Sequence, residues 1–428
     1  MRLTARLAAA AALVGLAALP ALPAKAATVA VTADRLIDVA TGARVERPLV
    51  VITDGRITRV GRQGDVLPEG AERVDLPGVT LVPGLIDMHV HITSSPLYGG
   101  YNSLLFTDSF WSVIGVAHAK STLEAGFTTI RNVGSEGYAD VGLKQAIEAG
   151  FVPGPRIVPA AYALGATGGH CDSTFFPPSM NEQSPAVVDS PDEARRMVRK
   201  MRKYGAEVIK ICATGGVFSR GSSPGAQQMT LEEMRAVVDE AHAAGMKVAA
   251  HAHGASGIRQ ALEAGVDTIE HVSLVDEEGI RLAVRKGAWF GMDIYNTDYT
   301  QAEGAKNGVL EENLQKDRDI GLIQRQNFQK ALKAGVKMVY ATDAGVYPHG
   351  DNARQFAVMV QWGASPLQAL QSATLNAAEA LGQAGQVGQI RAGAWGDLVG
   401  VRGDPLSDVR VLEKPVFVMK GGQTVKKP

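Results

Sequence analysis

The 428-residue sequence predicts an α/β fold: a (β/α)8 TIM barrel inserted in a small β-sandwich domain built from both chain ends. Two observations carry that reading. Eight short apolar runs recur through the middle of the chain with helical patterns between them, the alternation a parallel barrel needs. The stretches before and after share another texture, short strand-like runs punctuated by Gly and Asp, so the two ends read as one β unit interrupted by an insertion. A doubly wound open sheet is the alternative that the same alternation allows. Apolar residues make up 46% of the chain and charged residues 20%, enough to fill a core of that size.

Residues 1–26 stand apart. Arg2 and Arg6 precede the run LAAAAALVGLAALPALPAKA, which closes on the small-x-small pattern Ala24-Lys25-Ala26. This reads as a secretory signal peptide cut after Ala26, and it predicts an exported protein, periplasmic or secreted. As a membrane anchor the run is short, and Pro20 and Pro23 interrupt it. Residues 27–82 supply the strand-like segments ATVAVTADRLIDV, PLVVITDGRITRVG and RVDLPGVTLVPG, and residues 393–428 complete the same domain. Residues 83–392 form the barrel. Its strands are expected in TLVPGLIDMHVH, FTTIRNV, PRIVPAA, AEVIKICA, MKVAAHAH, DTIEHVS, AWFGMDI and VKMVYATDA. Helical stretches such as TLEEMRAVVDEAHAAG and ASGIRQALEAG lie between them, each closing on a glycine suited to a helix C-terminus.

The ends of these runs collect the chemistry. His89 and His91 alternate along one strand and so share a face. Lys210 ends EVIK, His251 ends KVAAH, His271 ends TIEH, and Asp343 follows VYAT. In a barrel the C-terminal strand ends open onto one face. There, four imidazoles and a carboxylate make a metal site by donor type. A lone core histidine is more often a hydrogen-bonded structural residue, but convergence at strand ends favours ligands. Lys210 is the odd member. Burial near cations favours its neutral amine, which adds carbon dioxide to give a carbamate able to bridge two metals. A structural or Schiff-base lysine is the other reading. His253, beside His251 in HAHG, also has ligand chemistry.

Three loops suggest the substrate. His170 follows the third strand, Arg220 sits in ATGGVFSRGSSPGAQQM after the fourth, and Tyr295 lies near the seventh. Arg, His and Tyr beside a metal centre suit a carboxylate. The Gly-rich loop lacks the Lys-Ser/Thr of a phosphate cradle. His118 and His242 fall on helical patterns and read as structural, while His349 could rim the pocket without a motif behind it. Cys171 and Cys212 could pair in an exported protein or remain thiols. A net charge of −1 gives no electrostatic case for nucleic acid, and no later stretch is suited to a membrane.

GLIDMHVH, VIKICATGGV, VAAHAHG, IEHVSLVD and ATDAG together resemble the amidohydrolase superfamily. Within it they are similar to the binuclear, imidazolonepropionase-related branch that holds secreted prolidase-like dipeptidases and ochratoxinase. The resemblance covers nearly the whole mature chain. It implies two divalent metal ions, zinc foremost. His89, His91 and Asp343 would hold the more buried ion, His251 and His271 the second, and carboxylated Lys210 would bridge them. Asp343 would carry a proton from water to the leaving amine. The related motif uses the first histidine of HAHG, which leaves His253 as a substrate or oxyanion contact beside His170, Arg220 and Tyr295. One departure is Val272, where relatives often have Gly, and it bears on pocket shape.

The implied activity is hydrolysis of the amide bond to a C-terminal amino acid in small N-acyl amino acids or dipeptides, ochratoxin-type amides included. A cyclic-amide hydrolase or lactonase would use the same centre. A mononuclear deaminase would place glutamate where HAHG stands. An inactive barrel serving as an assembly protein would have lost ligands, and none is missing. Partners are thus small-molecule amides, with homo-oligomers the expectation from relatives.

Overall fold

The first strand is paired along both edges by strands that follow it. The computed structural model describes residues 28–428, so the signal-peptide reading lies outside the described residues. β1 (Thr28–Asp38) pairs antiparallel with β2 (Ala43–Glu46) and β3 (Pro48–Thr53). β4 (Arg56–Arg62) returns along β3 through Asp54-Gly55, both at positive φ (49° and 78°), a two-residue hairpin whose twist matches its strands. β5 (Glu72–Pro83) runs parallel to β1.

The middle of the chain supplies β6 (Leu85–Val90), β7 (Phe127–Asn132) and β8 (Arg156–Pro159), then β9 (Val208–Cys212), β10 (Lys247–Gly254), β11 (Thr268–Leu274), β12 (Trp289–Gly291) and β13 (Lys337–Val339). All pair parallel, in sheets β6-β7-β8 and β9-β10-β11-β12-β13. Backbone bonds join the sheets at both margins. Glu207 N donates to Pro159 O and Cys212 N to Leu164 O, each at 2.8 Å. Across the other margin Met88 N donates to Tyr340 O (2.8 Å) and Asp343 N to His89 O (2.7 Å). Every residue of β6, β7 and β9 is buried, so these strands read as unbroken apolar runs rather than alternating ones. The two helices named above form, over Leu231–Ala243 and Ala255–Ala264, and each is followed by a left-handed glycine, Gly245 and Gly265.

β14 (Leu398–Val401), β15 (Phe417–Lys420) and β16 (Gln423–Lys426) return to the first sheet, where β14 pairs with the far edge of β5. The order is β16-β15-β14-β5-β1-β3-β4, with β2 on β1. The first apolar run, TLVPGLIDMHVH, is therefore two strands. Its first part ends β5 in the β domain, and its second is barrel strand β6. Gly84 lies between them, where a β-carbon would overlap Thr128 and Asp397. Trp395, sandwiched between Arg56 (3.6 Å) and Arg156 (4.5 Å), packs at this junction. Among the described residues no helix is long and apolar enough to cross a membrane.

Candidate metal centre

The strand ends surround one cavity of about 340 Å³, reached by His89 from β6 and His91 just past it, Lys210 from β9, His251 and His253 from β10, His271 from β11, and Asp343 past β13. Two clusters of possible ligand atoms form inside it. His89, His91 and Asp343 make one, and His251, His253 and His271 the other, each with its atoms within 4.8 Å. A third grouping, His271, Asp293 and Asp343, spans the space between them. The His89 and His271 ring centroids are 4.9 Å apart and those of His251 and His271 4.5 Å, so the clusters adjoin.

Hydrogen bonds on the far side of each ring set its direction. His89 Nδ1 lies 3.0 Å from Glu270 Oε2. Glu270 is held in turn by Arg131, whose Nη2 donates to Oε1 at 2.6 Å, and by the Thr268 hydroxyl at 2.5 Å. Arg131 also donates to Met88 O and Thr268 Oγ1. Arg131 and Glu270 are fully buried inside the barrel, at 1% and 0% exposure. His271 Nδ1 faces Asp293 at 3.1 Å, and Asp293 accepts from Gln324 and Asn296. His253 Nδ1 pairs with Ser273 Oγ at 2.8 Å, and His251 Nε2 meets Gly215 O at 3.1 Å. Such partners fix tautomer and orientation in metal sites.

What remains on the cavity side fits a cation. Asp343 Oδ1 stands 3.3 Å from both His89 Nε2 and His91 Nε2. Asp343 Oδ1 and His89 Nε2 are buried yet have no hydrogen-bond partner, while Oδ2 accepts from Asn296. Buried polar atoms are rarely left unpaired, and these two, converging with His91 Nε2 on one point, match the donor set of a divalent ion.

Burial pushes the Lys210 amine down to about 8, despite the carboxylates of Glu270 and Asp343. Burial likewise lowers His170, to about 3, and His251 and His253 well below the usual imidazole value, so all three are neutral. Burial would raise Asp343, but His89 and His91 outweigh it and hold the carboxyl well below its ordinary range. Glu270 is lowered for the same kind of reason, with Arg131 overcoming burial.

Three non-glycine residues here have left-handed backbone: His271 (φ 69°), Val272 (57°) and Asp343 (59°). Such conformations are costly for β-branched residues and concentrate at functional sites. They explain what Val272 changes. It is fully buried and absent from the cavity wall, so its consequence is backbone strain rather than pocket shape. Cys171 and Cys212 are disulfide-bonded, which ties the loop carrying His170 to β9 two residues past Lys210. His170 stacks on His251 at 4.2 Å, and its Nδ1 is buried without a partner.

Two expected substrate contacts lie elsewhere. Arg220 does not line the cavity; its guanidinium is half exposed, neutralised by Glu312 (2.9 Å) and bonded to Tyr101 (2.8 Å). Tyr295 is also off the wall, with its ring against Tyr347 and its hydroxyl toward Arg354. Among the described residues no arginine lines the cavity. His118 bonds Ile92 O and His242 pairs with Asp267, both away from the centre. His349 is buried behind His91, bonded to its carbonyl at 3.1 Å. Sequence reasoning passed over Arg131, Glu270 and Asp293. Their trace was a charged residue inside FTTIRNV, TIEH and AWFGMDI, runs otherwise fit for burial.

A barrel with these donors at its C-terminal strand ends defines the class of metal-dependent hydrolases. More narrowly, residues 80–425 match the Amidohydrolase family, and the chain belongs to it. It is 31% identical over 415 residues to an ochratoxinase of Aspergillus niger, covering 90% of this chain and 84% of that one. A solved Xaa-Pro dipeptidase with methionine bound in its active site superposes with a TM-score of 0.87 at 34% identity, over 93% of this chain and 99% of its own. A prolidase complexed with N-methylphosphonate-L-proline gives 0.86 at 33% identity, over 94% and 100%. The protein is a hydrolytic enzyme acting on amide bonds.

Proposed function

We propose that the protein is an exported, binuclear zinc amidohydrolase that releases the C-terminal amino acid from small N-acyl amino acids or dipeptides. The observation that carries this is the pair of adjoining ligand clusters with buried Lys210 in the same cavity. In this reading His89, His91 and Asp343 would hold one ion, and His251 and His271 the other. Lys210, as a carbamate, would supply oxygen donors to both. Two such ions would acidify water and polarise the scissile carbonyl.

The chain's own residues do the rest. Asp343, fixed by Asn296, begins as a carboxylate and takes the proton of the attacking water. Its low basicity then eases delivery to the leaving amine nitrogen. His253, next to the second cluster and held by Ser273, donates to the carbonyl oxygen. His170, whose buried Nδ1 lacks a partner, meets the substrate carboxylate. The solved relatives holding an amino acid and an N-substituted proline support a substrate of this kind. The Cys171–Cys212 disulfide supports an oxidising compartment.

The test is a release assay on metal-replete protein with N-acyl amino acids, dipeptides, a cyclic amide and a lactone. Free amino acid should appear from the first two groups. Turnover of the lactone or cyclic amide alone would replace the proposed substrate class, and inertness toward all four would overturn the reading.

A further inference from the structure

Beside the metal cavity lies a second one of about 160 Å³. The two share Phe218, Thr300, Gly345 and Val346 as a common wall. No side chain lining the second cavity is charged. Pro96, Phe218, Tyr299, Val309 and Val346 give it apolar surface. The Tyr299 hydroxyl accepts from Asn307 at 3.2 Å, so two polar groups on the wall satisfy each other rather than awaiting a ligand. Packing is close where the two cavities meet. Gly345 has φ 118°, and a β-carbon there would press on His91, 2.8 Å from its carbonyl oxygen.

Position gives the cavity its meaning. Its wall comes largely from the loops after β6, β12 and β13, which adjoin in the ring. His170 and His253 come from β8 and β10, on the opposite arc. A substrate whose carboxylate lies at His170, with its scissile carbonyl over the ligand clusters, points its acyl group toward the second cavity. We infer that this cavity is the acyl subsite and takes a single aromatic or compact apolar ring joined to the carbonyl by a short spacer. The inference rests on the proposed amide hydrolysis. Size agrees, since an apolar cavity of about 150 Å³ takes up benzene. Phe218 and Val346, on the shared wall, then determine which acyl groups pass, and Val309, which lines only the second cavity, bounds the space beyond them.

The experiment compares kcat/KM for the N-acetyl and N-(3-phenylpropionyl) derivatives of one amino acid, using metal-replete wild type, Val309→Trp and Val309→Ala. The wild type should prefer the phenylpropionyl substrate by about tenfold or more, the discrimination an apolar pocket supplies. Val309→Trp fills the cavity from a wall that it does not share with the metal cavity. It should lose most of that preference while keeping wild-type metal content and acetyl-substrate rate. Val309→Ala should extend the preference to a naphthylpropionyl group, which decides the matter if the tryptophan variant fails to fold. No preference in the wild type, or an unchanged preference in both variants, would overturn the subsite and leave amide hydrolysis standing. Failure of the wild type on both substrates would overturn hydrolysis and the subsite together.

Discussion

Glu270→Leu should separate what the buried Arg131–Glu270 pair does for stability from what it does for metal. The carboxylate is fully buried and accepts from Arg131, Thr268 and His89 at 2.6, 2.5 and 3.0 Å. Leucine is of similar size and removes all three hydrogen bonds. A guanidinium left buried without its counter-charge costs about 3–5 kcal/mol. His89 also loses the acceptor that fixes its tautomer, which should weaken metal binding by about 10- to 100-fold. Arg131→Met with Glu270→Leu divides the two effects. Replacing a whole buried pair by apolar residues is often near neutral, so the double variant should regain more than half of the lost stability. It should not regain metal affinity, because His89 Nδ1 still lacks its acceptor. Denaturant unfolding of the metal-free proteins gives the first quantity, and competition with a chromophoric chelator gives the second. Wild-type metal affinity in Glu270→Leu, or a double variant no more stable than the single one, would refute the reasoning.

Lys210→Ala should bind well under two metals per chain by elemental analysis and lose hydrolysis with them; full metal content would remove the carbamate. With the Lys210 amine pushed down to about 8, its free form grows as pH rises through that value. Metal uptake by metal-free protein at fixed carbon dioxide pressure should therefore be greater at pH 9 than at pH 7, and a flat profile would count against carbamate formation. His251→Ala should lose metal, whereas His253→Ala should keep both ions and fall about 10²- to 10³-fold in kcat as an oxyanion contact would; the reverse result would exchange their roles. Arg220→Ala should leave kcat/KM within about twofold, because its guanidinium serves a surface ion pair with Glu312. A large loss, with the preference for a free carboxylate over its amide abolished, would return Arg220 to the site.

The barrel was legible because parallel strands buried on both faces leave apolar runs with no alternation to confuse them. The donor residues were legible because they stand where such runs stop, as His251 and Asp343 do. Asp293 stands at the close of AWFGMDI, one residue before its end, much as Asp343 follows VYAT, so the same reasoning could have found it. Arg131 and Glu270 could be flagged as charges within strands, but their pairing crosses the barrel interior and depends on which strands face each other. The position of Arg220 depends on Glu312, 92 residues later on a helix no loop pattern connects to it. Val272 showed only a missing glycine, and the left-handed backbone that gives the glycine its purpose belongs to an irregularity at His271–Val272 inside β11.

The pairing of β5 with β14 sets an order of events during synthesis. β5 finds β1 early, but its other edge waits for Leu398, opposite Pro83. Until then an apolar strand edge stands open, and closing so distant a contact is slow. That same strand passes through Gly84 directly into β6, which carries His89 and leads to His91. Residues 398–428 therefore decide how firmly that strand is seated, although none of them lines the cavity. A chain cut short there should be lost to association through the open edge before its chemistry could be assayed.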